Sequence, residues 1–251
     1  MILHGTEAGQ GPAVVLLHGL FGSAPNLGVL ARRLAATHRV VSLDLRNHGA
    51  SPHAPGMSYP EMAADVAETL DSRGVGAAAV VGHSMGGKVA MALALGHGAR
   101  VERLLVSDIA PLRYPPHFRD IAAAMAAIPL RPGLLRAEAD ALLRDAAPDP
   151  SVRGFLLQNL RFGPQPAWRI GLAEIRDALP GIEGWDVTGA YAGPVLAVRG
   201  ERSDYVDDKG RAALRSVFPQ ARVLTLRHAG HWLHADQPDA FAAVVEGFLA
   251  R

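Results

Sequence analysis

The sequence predicts an α/β fold, with a mostly parallel central sheet flanked by helices and interrupted by a helical insertion. Three observations carry this. Apolar runs of strand length recur along the chain. Helix-length amphipathic stretches separate them. The alternation then stops between Pro111 and Pro194 and resumes afterwards. Strands that alternate with helices are joined by right-handed crossovers, which makes neighbouring strands parallel.

The strand-length runs are Ala13–Leu17, Arg39–Leu43, Ala77–Val81, Val101–Val106, Val195–Val198 and Ala221–Leu226. Most are continuous and rich in β-branched residues, not alternating. That pattern suits central strands covered on both faces. Pro25–Ala36, Tyr59–Ser72, Gly87–His97 and Gln237–Leu249 carry helical apolar spacing. The interruption holds Pro115, Pro116, Pro129, Pro132, Pro148, Pro150, Pro164, Pro166 and Pro180. Short helical pieces lie between these prolines, at Asp120–Ala127 and Ala137–Asp145, and no strand is expected there. The organisation expected is a core of residues 1–111 and 194–251, with a helical cap at 112–193 over one end of the strands.

Composition bounds the function. The 251 residues, at roughly 150 per domain, suit one large domain with an insertion. Cysteine is absent, which excludes disulfides, thiolate catalysis and Cys-based zinc sites. Lys and Arg number 25 against 24 Asp and Glu, a net charge of +1. So even a balance gives no net-charge argument for nucleic acid or an anionic membrane. The opening residues show no basic leader or long apolar stretch, and a soluble, cytoplasmic chain is expected. Oligomeric state cannot be read from the sequence.

The chemistry concentrates at Ala79-Val-Val-Gly-His-Ser-Met-Gly-Gly-Lys88. An apolar strand ends at Gly82, Ser84 stands at a tight turn, and a helix begins at about Gly86. Gly82-x-Ser84-x-Gly86 is a nucleophile elbow in its required strand–turn–helix setting. The turn strains the serine backbone to lift its hydroxyl clear, and the flanking glycines let strand and helix pass closely. The Met85 N–H then faces the reacting oxygen from the positive end of a helix. The same residues resemble a phosphate-binding loop, Gly82-x-x-x-x-Gly87-Lys88. However, Val89 stands where that loop needs a Ser or Thr to hold Mg²⁺. Lys88 is therefore expected to be a solvated first-turn lysine.

A hydroxyl nucleophile needs a base, and the base needs an orienting acid. His231, in Arg227-His-Ala-Gly-His-Trp-Leu-His234, lies between the last strand and the last helix, on a loop able to reach the sheet's carboxyl edge. His228, His231 and His234 lack the spacing of a helix-borne metal site, so no metal or other cofactor is expected. His83 is at most a supporting residue. The acid is either Asp108, which ends the strand Val101–Ser107, or Asp204, which follows the strand Val195–Val198. The second oxyanion donor is expected in His18-Gly-Leu-Phe-Gly22, with the Leu20 N–H as the candidate.

These motifs resemble those of α/β-hydrolase-fold serine esterases, and more narrowly a bacterial esterase group related to mitochondrial α/β-hydrolase-domain proteins. The residues that carry the resemblance are His18-Gly-Leu-Phe-Gly-Ser23, Asp44-Leu-Arg-Asn-His-Gly-Ala-Ser51, Gly82-His-Ser-Met-Gly-Gly-Lys88, Asp108-Ile-Ala-Pro111 and Gly230-His-Trp-Leu-His-Ala235. The resemblance implies an eight-stranded sheet, a lid-like cap and an acyl-enzyme mechanism. It makes Ser84 the nucleophile, His231 the base, and Leu20 and Met85 the oxyanion donors. The wider superfamily places its acid where this chain has Ser203, one residue before Asp204. The narrower group uses the Asp of Asp-Ile-x-Pro, which favours Asp108. Asp44–Ser51 is expected to be a structural turn beneath the site.

The implied substrate is a small acyl ester of short to medium chain, with thioesters admitted. An apolar acyl pocket is expected from Phe118, Met125, Ile128, Phe155, Leu156, Leu157, Phe162 and Trp168. Arg131, Arg136, Arg153 and Arg161 read as a solvated face. The alternatives are a P-loop-like nucleotide hydrolase and a non-catalytic binding protein on the same scaffold.

Overall fold

The computed structural model describes residues 1–250. The chain runs β1 (Gly5–Ala8), β2 (Ala13–Leu17), α1 (Gly28–Leu34), β3 (Arg39–Leu43), α2 (Tyr59–Ser72), β4 (Ala78–His83), α3 (Met85–Gly96) and β5 (Val101–Ser107). It continues through α4 (Phe118–Ala126), α5 (Arg136–Leu142), α6 (Pro150–Leu156), β6 (Leu160–Arg161), β7 (Ala167–Trp168) and α7 (Leu172–Ile182). It ends with β8 (Val195–Gly200), α8 (Asp208–Val217), β9 (Arg222–Leu226), α9 (Leu233–Asp236) and α10 (Pro238–Leu249).

The sheet has the order β1-β3-β2-β4-β5-β8-β9, parallel throughout except for β1. It has seven strands among the described residues, where the resemblance implied eight. Upstream of His4, whose carbonyl still accepts the Asp44 N–H at 2.9 Å, the chain leaves the sheet: the Leu3 N–H donates to Thr69 Oγ1 on α2 at 2.9 Å, and the Leu3 side chain is buried. Those residues pack on a helix instead of pairing as a further strand.

Both sheet faces are covered, which is why the central strands read as continuous apolar runs. Val15, Leu17, Val80, Leu104 and Val106 pack in one cluster with α2, α3 and the insertion. Val14, Leu16, Val81, Leu105 and Val198 pack in another with α1, α9 and α10. Helix α3 is buried along nearly its whole length and, Lys88 apart, is built from apolar residues and glycine. The register aligns Leu17 with Gly82, His83 with Ser107, and Ser107 with Val198. Consequently the loops after β2, β4, β5, β8 and β9 open at one edge, where ligands bind in open α/β sheets.

The connection from β5 to β8 carries α4 to α7, and also a hairpin that was not expected. Leu160–Arg161 pairs antiparallel with Ala167–Trp168. Two-residue strands are too short to show an alternation. Helices α6 and α7 belong to the helical insertion expected here, at positions the sequence did not specify, and α8 was not anticipated. In α7 the reason is Pro180, which sits in the last turn, where losing one backbone donor does not end the helix.

Candidate active site

Ser84 lies between β4 and α3 with φ 52° and ψ −122°, a left-handed conformation that costs a non-glycine residue on the order of 1–3 kcal/mol. The neighbouring glycines make this turn possible. A Cβ on Gly82 would come within 2.2 Å of the Gly86 carbonyl oxygen, and one on Gly86 within 2.4 Å of the Leu17 and His18 carbonyl oxygens. The Ser84 N–H donates to the Ser107 carbonyl at 3.0 Å, which ties the elbow to the end of β5.

The Ser84 hydroxyl lies 3.0 Å from His231 Nε2, and His231 Nδ1 lies 2.8 Å from Asp108 Oδ2. These contacts span 147 and 123 residues of sequence. Asp108 is fully buried and held at φ 53°. Its N–H donates to the Val198 carbonyl at 2.9 Å, and its Oδ1 accepts from the Gly200 N–H at 2.9 Å. The Ser203 hydroxyl donates to Oδ2. Asp204, the other candidate acid, is exposed and stands outside this chain. The structure therefore brings Ser84, His231 and Asp108 together and leaves Asp204 apart. Ser203, at the position where the resemblance sets the acid, instead helps to satisfy the carboxylate from Asp108. Tyr205 stacks on the His231 ring at 4.0 Å and 20°, and nothing in the sequence signalled that contact.

Four other histidines sit around this centre, each kept neutral. Burial, together with His234 and His231 nearby, holds His83 well below the usual imidazole range. Its Nε2 lies 2.8 Å from the His231 carbonyl, an arrangement in which the neutral ring donates and fixes the loop that carries the base. Burial and then His231 lower His234 to about 4. His228 is exposed, so His228, His231 and His234 diverge. His18 and His48 are buried under the loop after β2. Burial lowers His18, and burial with His18 alongside lowers His48 to about 3. As a neutral ring, His48 accepts the Phe21 N–H at Nε2, 3.1 Å away, and His18 accepts the Leu45 N–H at 3.0 Å. Asp44 accepts the Ala24 N–H at 2.7 Å and the Ala50 N–H at 2.9 Å. The Asp44–Ser51 turn thereby fixes the Gly19–Gly22 loop. Among the described residues, the N–H groups of Leu20 and Met85 donate to no protein acceptor.

Lys88 departs from its expectation. It is 1% exposed, and Nζ donates to the carbonyls of Leu112 at 2.9 Å and Gly184 at 2.7 Å. The rings of Tyr114 and Tyr59 lie 4.9 and 5.4 Å away. It is not solvated, because the insertion folds over it. Its carbonyl partners also occupy it, so it is not free to meet a phosphate.

A cavity of about 260 Å³ opens onto Ser84 between the sheet edge and the insertion. Of the expected lining residues, Phe118, Phe155 and Leu156 take part, joined by Ile121, Val152 and Trp232, which the sequence did not single out. Met125, Ile128 and Leu157 are buried within the insertion, while Phe162 and Trp168 pack at its flank. Arg153 is a second correction. It is buried, pairing with Asp140 at 2.9 Å and donating to the Ala147 and Pro148 carbonyls. No helix of the described residues is long and apolar enough to cross a membrane.

Comparison with known proteins identifies the family. The model of the alpha/beta hydrolase family matches residues 14–244. The chain is 41% identical to "Esterase YbfF" of Escherichia coli over 237 residues, covering 94% of this chain and 92% of that protein. It is 39% identical to mouse "sn-1-specific diacylglycerol lipase ABHD11" over 249 residues, covering 95% and 81%. Among solved structures, "Marine microorganism esterase" superposes with a TM-score of 0.94 at 34% identity, covering 98% of this chain and 99% of that one.

Proposed function

The chain belongs to the alpha/beta hydrolase family and is an ester hydrolase, and on that premise we propose that Ser84, His231 and Asp108 hydrolyse acyl esters through an acyl-enzyme. The observation that carries this reading is the hydrogen-bonded chain from the strained Ser84 hydroxyl through His231 to the buried Asp108. Ser84 Oγ bonds to the substrate's carbonyl carbon while its proton passes to His231 Nε2. The carbonyl oxygen takes up negative charge between the Leu20 and Met85 N–H groups. Each such donor is typically worth about 3 kcal/mol of transition-state stabilisation. The ester C–O bond then breaks as His231 gives its proton to the leaving alcohol. Water repeats the sequence on the acyl-enzyme and releases the acid. Asp108 keeps the His231 Nδ1 proton in place and stabilises the imidazolium. Acyl thioesters offer the same carbonyl chemistry and belong to the proposal.

The other readings lack comparable support. A nucleotide hydrolase would need Lys88 free and a hydroxyl at Val89. A binding protein on this scaffold would not need an activated serine, and a fluorophosphonate reports that activation directly. The deciding experiment is Ser84→Ala. Turnover of p-nitrophenyl acetate is expected to fall by about 10⁴-fold or more, with an unchanged circular dichroism spectrum. Retained turnover in a folded variant would remove Ser84 from its role.

A further inference from the structure

Ser84 borders two cavities. The larger is the one of about 260 Å³, and a smaller one of about 30 Å³ also borders Ser84. Ser84, Leu20, Phe118 and Tyr205 line both. His231 lines only the larger, and Met85 only the smaller. This asymmetry constrains how an ester sits. In the collapse step the proton on His231 Nε2 goes to the leaving oxygen, so that oxygen and its alcohol must lie on the His231 side. The oxyanion takes the Leu20 and Met85 N–H groups. One substituent of the tetrahedral carbon remains, the acyl chain, and it is directed away from His231 toward the smaller cavity.

We infer that the smaller cavity is the acyl site and the larger the alcohol site, so that the preferred substrates are short-chain acyl esters of bulky apolar alcohols. The inference rests on the serine-hydrolase reading above and narrows it. Room for a water-sized group takes about 10–15 Å³, so the small chamber accepts about two or three such groups, an acetyl or propionyl tail. Four of the polar side chains around it are already engaged. Lys88 Nζ is held by carbonyls, the Tyr59 hydroxyl donates to the Ile182 carbonyl, the Tyr114 hydroxyl donates to the Tyr205 carbonyl, and Glu183 pairs with Arg119. Ile109, Pro115 and Ile182 supply apolar wall beside these committed groups, which favours a hydrocarbon acyl tail. The larger cavity is walled by Phe21, Ile121, Val152, Phe155 and Trp232, and accepts an apolar body.

Two ester series test this on the wild-type protein. With p-nitrophenol as leaving group, kcat/KM is expected to fall by about tenfold or more from acetate to hexanoate, because each methylene that does not fit is costly. Among acetates of ethanol, butanol, hexanol and 2-phenylethanol, it is expected to hold or rise. Ile109→Val, which widens the small chamber, is expected to raise the butyrate-to-acetate ratio by about threefold. Hexanoate hydrolysed as well as acetate, larger alcohols strongly penalised, or an unmoved ratio in Ile109→Val would each overturn the assignment. Ser84 labelled by a fluorophosphonate, with the opposite order of sizes, rejects this inference alone. An unlabelled Ser84 with neither series hydrolysed rejects the serine-hydrolase reading, and the assignment falls with it.

Discussion

Asp108 carries more of the site's geometry than any other single side chain. It leaves β5 in a left-handed conformation, and its carboxylate takes the Gly200 N–H, the Ser203 hydroxyl and the His231 ring. A carboxylate can accept from all three; an amide cannot. Asn at this position presents an NH₂ group toward one partner and disfavours the His231 tautomer that accepts the Ser84 proton. Asp108→Asn is therefore expected to lower kcat by about 10⁴-fold, with Asp204→Asn within about twofold of wild type. Steady-state kinetics on one activated ester decide it, and the reverse ranking would move the role to Asp204. From the residues alone, Asp108 ended one strand, Asp204 lay in the loop after another, and either could reach the histidine at the same edge. Only the Asp-Ile-x-Pro resemblance favoured one. The physical difference is a single position of loop phase: Ser203 faces inward, so Asp204 faces out.

At the scale of elements, the elbow was legible because its constraint is local. A strand, two glycines that no side chain can replace, and a helix all lie within one short segment. Lys88 was not legible, although it sits one turn further along the same helix. Its burial depends on Leu112 and Gly184, at the two roots of the insertion, 24 and 96 residues away. The lysine thus fastens both ends of the insertion to the nucleophile's helix. Lys88→Met keeps most of the stem's volume but leaves buried carbonyls without a donor, at a cost of about 1–3 kcal/mol. For a chain of this length, that lowers Tm by about 2–4 °C per kcal/mol. The pH dependence has a definite sign. Burial, with Arg113 nearby, lowers the ammonium to about 7 in the folded state, whereas the unfolded chain keeps its proton up to the ordinary lysine range. Between those limits the unfolded state binds more protons, so wild-type stability rises with pH. Tyr59 and Tyr114 are both pushed upward by burial and stay neutral across this window. The Tm gap between wild type and Lys88→Met is therefore expected to widen from pH 7 to pH 10. A constant or shrinking gap would mean that folded Lys88 holds its proton as firmly as the unfolded chain does, and that burial does not lower it.

For the whole molecule, the layered α/β architecture was legible because burial on both sheet faces leaves an apolar signature in each central strand. The cavity over Ser84 was legible only in part, because its walls come from the insertion, the β2 loop and the His231 loop together. The same convergence concentrates buried histidines at the sheet's carboxyl edge: His18, His48, His83 and His234 are all lowered, chiefly by burial. In the folded protein they resist protonation, while in the unfolded chain they take up protons near pH 6.5. Below that pH the unfolded state binds more protons, so stability falls as pH falls, down to each folded value. For His48 and His234 the window runs from about 6.5 to about 3 and about 4, respectively. At pH 5 each has cost about 2 kcal/mol relative to neutral pH, out of a total stability of about 5–15 kcal/mol for a typical domain. Asp44, lowered by its N–H donors although burial opposes them, loses its contribution only at still lower pH and does not offset this. Urea unfolding from pH 7.5 to 4.5 is thus expected to show a steep loss of stability beginning near pH 6.5. Replacing His48 with Asn should flatten that slope by about 1.4 kcal/mol per pH unit, the worth of one proton. A stability unchanged between pH 7 and pH 5 would mean that these rings protonate freely in the folded protein. The neutral His48 acceptor that holds the Phe21 N–H, and with it the fixed oxyanion loop, would then have to be abandoned.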